Sequence, residues 1–185
     1  MNTDLGRSIL DLARWTVVDE VSGCSEPEPD RHQSMMDHRG VFVTLNKLPG
    51  RTLRGCIGYP YPVMPLGDAL CGAARSACHD PRFPDLSVDE LQSITIDVTV
   101  LTVPMETTPD QVILGRDGLI LDWRGYRGLL LPQVPLEQGW DLKEYLEGLS
   151  MKTGLPSNAW SWDDSRLYSF QGTIYSERIV HPFVR

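Results

Sequence analysis

The chain has 185 residues, 41% hydrophobic and 23% charged, with a formal net charge of −8. That length suffices for one domain with a good core, or one domain with a small lobe, and the composition is that of an ordinary soluble globular protein. The acidic balance argues against a nucleic-acid binder that works by broad phosphate neutralisation, and no apolar run approaches the ~20 residues that cross a bilayer. Asp4, Arg7 and Asp11 are spread through the N-terminus, which does not read as a signal peptide, so the expected address is cytoplasmic.

Thr3 is placed to cap a first helix whose apolar stripe runs Leu5, Ile9, Leu12, Ala13 and Val17. Ser22 to Arg31, with two prolines among acidic residues, reads as a loop. Val41 to Lys47 is a strand, Pro49-Gly50 a turn, and Thr52 to Tyr59 the returning arm of a hairpin. Pro60 and Pro62 bar a central strand from continuing. A helix is predicted from about Leu66 to Cys78, ended by the residues before Pro81. Ser87 to Glu90 has the capping-box pattern of a short helix, and Ile94 to Val103 is the clearest strand. Val112 to Leu114, Leu119 to Trp123 and Leu129 to Leu131 read as three short strands. Asp141 opens a helix that Gly154 stops, and Leu167 to Tyr175 is the last strand. The expected fold class is α+β: a mainly antiparallel sheet flanked by helices, with a smaller second subdomain.

Leu53-Arg54-Gly55-Cys56-Ile57-Gly58 is the most informative segment. In a regular strand Arg54 and Cys56 share a face, and a guanidinium beside a thiol favours the thiolate. Glycine within a strand marks a bulge or a close approach by a ligand or another backbone. Set against this, free cysteine is among the most buried residue types and usually packs as a small hydrophobe. The four cysteines, at 24, 56, 71 and 78, include no pair with zinc-knuckle or redox-dithiol spacing, and no dedicated metal site is expected. Cys71, Ala74 and Cys78 read as a packing stripe on one helix face. No pattern selects a cofactor.

The hexapeptide and its flanks resemble the AMMECR1 family, also met as protein A of the AmmeMemoRadiSam system. The likeness extends through Leu12-Ala13-Arg14, Gly40 to Leu45, Pro65 to Leu70, Asp80-Pro81-Arg82-Phe83, Leu131-Pro132-Gln133-Val134, Trp140-Asp141 and Lys152 to Leu155. It implies an α+β fold of a large and a small subdomain making a single domain over 1–185. It implies a functional surface rather than a reaction. His79 lies outside the resemblance, which disfavours a Cys-His mechanism and suits a helix C-terminal cap. Ser150 stands where relatives often carry a second cysteine, two places before Lys152.

Two functions are weighed. In the first, a cytoplasmic enzyme binds a small anionic substrate at the signature hairpin. Cys56 is the reactive group, Arg54, Asp80 and Arg82 are substrate-binding residues, and Gln133 and Lys152 are auxiliary polar contacts. In the second, the chain is a non-catalytic accessory module that docks Memo-like or radical-SAM proteins, the partners the resemblance implies, using apolar surface around Tyr59, Tyr61 and the proline loop. Nucleic acid and membrane are not expected partners.

Overall fold

The computed structural model describes residues 3–23 and 26–177. The chain falls into two compact units, one made of residues up to 101 together with those from 173 onward, the other of residues 102–172.

In the first unit a four-stranded sheet has the order β2-β1-β3-β8, with β1 Val41–Lys47, β2 Thr52–Tyr59, β3 Ile94–Leu101 and β8 Gly172–Ser176. β1 pairs antiparallel with both β2 and β3. Helices α1 (Thr3–Ser22) and α2 (Leu66–Cys78) pack on one face. The period of two along β1 buries Val41, Val43 and Leu45 completely, and Ile94, Ile96 and Val98 of β3 join them. The 3.6-residue period of the helices supplies Ile9, Leu12, Ala13 and Val17 from α1 and Ala69, Leu70, Ala73, Ala74 and Ala77 from α2. Each large aliphatic side chain so buried contributes about 1.5–3 kcal/mol. The alanine-rich face of α2 lets it lie close to the sheet. As expected, Cys71 and Cys78 belong to that packed face, and burial pushes the Cys78 thiol up to about 12. The cap assigned to Thr3, along with Cys24 and His181, lies outside the described side chains.

In the second unit the sheet order is β4-β7-β5-β6, with β4 Met105–Thr107, β5 Gly118–Trp123, β6 Tyr126–Leu130 and β7 Arg166–Phe170. All its pairings are antiparallel. Its core is Leu119, Leu121, Leu167 and, from helix α4 (Leu142–Lys152), Tyr145, Leu146 and Leu149. The expected Asp141 cap is present: its carboxylate accepts from Glu144 N at 2.8 Å while Glu144 returns a bond to Asp141 N at 2.9 Å. Gly154 takes φ 82°, the left-handed stop of α4.

The α+β class and mainly antiparallel pairing agree with the sequence, but several elements differ, among them β6, which starts at Tyr126 rather than Leu129. Val112 to Leu114 is no strand; a single 3₁₀ turn, Pro109–Gln111, precedes it. The short strand β4 and the short helix α3 (Val134–Gln138) carry no periodicity long enough to read. The clearest strand ends at Leu101, before Val103. The last expected strand is two, β7 and β8, broken at Gln171 and belonging to different sheets.

Candidate functional site

The signature lies on β2, an edge of its sheet. The β1–β2 register matches Thr44 with Cys56 and Leu45 with Gly55, then jumps so that Asn46 faces Leu53. Arg54 is therefore the extra residue of a β-bulge. A one-residue slip transfers a side chain to the other face, which is why Arg54 does not project with Cys56 as a regular strand requires. Arg54 and Gly55 are both buried, and Gly55 pairs with fully buried Leu45. Cys56 instead shares the opposite face with Thr44, half-buried, its Sγ 3.2 Å from the Thr44 hydroxyl.

Gly55 is required by a close approach: a Cβ there would sit 2.3 Å from the Ala77 carbonyl oxygen near the end of α2. Backbone meets backbone, and neither side yields cheaply. Gly55→Ala is expected to lower unfolding stability by about 2–3 kcal/mol in urea titrations.

Arg54 is 3% exposed. Its Nε and Nη2 donate to the two Glu90 oxygens at 2.8 and 2.9 Å, and Nη2 also donates to the Asp85 carbonyl at 3.1 Å. Lys47 Nζ adds a second cation 3.1 Å from Glu90, and the Ser87 amide donates to the same carboxylate. The Arg54 guanidinium, first among these contacts, holds the Glu90 carboxyl well below the usual range.

Asp80, 1% exposed, organises the other half of the site. It accepts from the amides of Cys56 and Arg82 at 2.8 and 3.0 Å, and from Arg82 Nε and Nη2 at 3.0 and 2.6 Å. Arg82 Nη2 also reaches the Cys56 carbonyl at 3.3 Å. The Arg82 guanidinium, joined by the two amides, outweighs desolvation and holds the Asp80 carboxyl well below its ordinary value. An aspartate and an arginine two residues apart thus satisfy the N–H and C=O that an edge strand turns away from its partner. The guanidinium that touches Cys56 is Arg82, not Arg54.

His79 ends α2 as its C-cap, in the role the sequence suggested. Its imidazole stands between Glu20 and Asp85, 3.0 Å from each, and these carboxylates raise its pKa. The contribution is thus complete below the unfolded value of about 6.5 and fades as pH rises through the higher folded value. With half its side chain exposed the effect is small. The stability gap between His79→Gln and the parent should shrink between pH 6 and pH 9, read as urea midpoints.

Gln133 and Lys152 belong to the second unit, where Gln133 is the exposed N-cap of α3 and Lys152 the exposed last residue of α4. Ser150 is fully buried, donating to the Leu146 carbonyl and accepting from Trp160 N. Five further arginines are ion-paired: Arg51 with Asp97, Arg75 with Asp19 and Glu20, Arg116 with Asp117, Arg124 with Asp164 and Arg127 with Asp122. Among the described residues no group of three or more His, Cys, Asp or Glu side chains is arranged to hold a metal ion, and no helix is long and apolar enough to cross a membrane.

The AMMECR1 family model matches residues 10–175, nearly the whole chain. The chain belongs to the AMMECR1 family. Among AMMECR1 relatives, a protein of Methanococcus aeolicus is 44% identical over 180 residues, covering 93% of this chain and 90% of its own length. Protein MJ0810 of Methanocaldococcus jannaschii is 46% identical over 149 residues, covering 76% of this chain and 74% of its own. The crystal structure of the uncharacterised protein PH0010 from Pyrococcus horikoshii superposes with a TM-score of 0.77 at 38% identity, covering 96% and 93% of the two chains. Within this AMMECR1 chain, sequence reasoning missed Glu90 and Thr44 as neighbours of the signature. Glu90 carried one visible signal, the Ser87-to-Glu90 capping box, which explains its bond to Ser87 but not its hold on Arg54.

Proposed function

We propose that this AMMECR1 chain is a non-catalytic accessory module that docks a partner protein, the Memo-like and radical-SAM proteins being the partners the family association suggests, in a cytoplasmic setting. One observation carries the reading: the charged groups at and around the signature are ion-paired within the protein. Arg54 is committed to Glu90, and Arg82 to Asp80 and the Cys56 carbonyl, so the motif braces an edge strand. His79 is held by Glu20 and Asp85, and the thiol's bond is to a threonine hydroxyl. A nucleophilic cysteine needs a base and an orienting group. Support also comes from Met36, 68% exposed, and Val63, 66% exposed, on two segments tied by the His38–Pro65 bridge. Tyr59, expected in the docking patch, packs instead against the core and over Gly72.

The test is capture of a Memo-like protein by the purified chain. Cys56→Ala is expected to retain capture in full and Val63→Asp to lose at least about tenfold in affinity. Loss of capture in a folded Cys56→Ala variant sinks the reading. A second reading, in which Cys56 acts on a small anionic substrate, draws on the half-exposed guanidinium of Arg82 beside the cysteine. Alkylation of Cys56 in the folded protein, slowed several-fold by Arg82→Gln, is the result that would favour it; no labelling short of unfolding would end it.

A further inference from the structure

An open pocket of about 420 Å³ lies beside the bulge, with Lys47, Leu53, Arg54, Phe83, Pro84 and Glu90 in its wall. Two facts about it are unexplained by the brace on β2. Arg54 Nη1 is buried and has no acceptor, although Nε and Nη2 are satisfied. The guanidinium carbon lies 5.9 Å from the centroid of the Phe83 ring, a cation–π contact at the wall of the same pocket. A buried donor without an acceptor is rare in folded proteins and points to a missing partner.

The charges define that partner. Lys47 and Arg54 share one carboxylate, Glu90, leaving N–H donors without an acceptor. The other acid in the wall, Asp85, is engaged by the His79 imidazole 3.0 Å away. Leu53, Phe83 and Pro84 supply an apolar side. We propose that the pocket binds a carboxylate carried on a small apolar group, with Phe83 as its gate. Displacement of the ring frees Nη1 for one carboxylate oxygen, the Lys47 ammonium takes the other, and Leu53 and Pro84 receive the apolar body. A free organic acid and the C-terminus of a peptide present the same chemistry. The site stands independently of the docking reading.

Calorimetric titration of the whole chain tests it with benzoate, benzamide, and a pentapeptide ending in phenylalanine as free acid and as amide. An acid is expected to bind and its amide not. Lys47→Gln, half-exposed in the parent, is expected to weaken binding about tenfold with an unchanged urea midpoint. Tighter binding of benzoate assigns the site to small acids, and tighter binding of the peptide acid assigns it to a chain terminus. Binding of neither acid, equal binding of acid and amide, or binding undiminished by Lys47→Gln overturns the proposal.

Discussion

Glu90→Ala is expected to cost about 3–5 kcal/mol of stability, the range found when one partner of a buried ion pair is removed. The reason is what it leaves behind. The Arg54 side chain is 4% exposed, and without Glu90 both Nε and Nη2 lose their carboxylate while Nη1 already has no acceptor. Lys47 is a poor guide to this effect. Its ammonium is half-exposed, so Lys47→Ala should shift stability by less than about 1 kcal/mol. Replacing both members, Arg54→Met with Glu90→Leu, is expected to recover most of the loss, because an apolar pair removes the desolvated charge together with its partner. Urea titrations of the three variants separate these cases. A Glu90→Ala protein as stable as its parent would mean that Arg54 is not held as described.

Asp80→Ala is the second large effect, expected at about 3 kcal/mol. Its carboxylate is buried and accepts four N–H groups, two of them backbone. The Arg82 side chain is 55% exposed and can turn to water, so the ion pair contributes the smaller share. Most of the loss falls on the Cys56 and Arg82 amides, which no longer have an acceptor. The pH dependence follows from the same two carboxyls. Both Asp80 and Glu90 have folded values below their unfolded ones, so their contribution is complete above the unfolded values of about 4 and is lost as pH falls through the folded values. The parent should therefore lose stability steeply below about pH 4, and Asp80→Ala less steeply.

The hairpin and α2 were legible because local signals agree there. Alternating apolar residues in β1, a Pro-Gly turn and an alanine-rich run after Pro65 each specify one element, and the elements occupy the expected ranges. The pairing of Arg54 with Cys56 failed for a physical reason. Gly55 signalled a bulge or close approach, but which residue becomes the extra one depends on β1 and on the Ala77 carbonyl, both distant in sequence. The break at Gln171 is similar. Residues 166–176 have continuous strand character, and only pairing with β5 on one side and β3 on the other divides them between sheets. From the sequence, Asp80 and Arg82 read as substrate-binding residues; that they close the strand edge at Cys56 needed the fold.

The brace on β2 is tested most directly by hydrogen exchange at the Cys56 amide. That N–H points away from β1 at a sheet edge, where among the described residues the Asp80 carboxylate is its acceptor. It should exchange about as slowly as core amides of β1 in the parent, and fast in Asp80→Ala while the β1 amides stay protected. Fast exchange at Cys56 in the parent protein would show that Asp80 does not hold the strand, and the structural reading of the signature would fall with it.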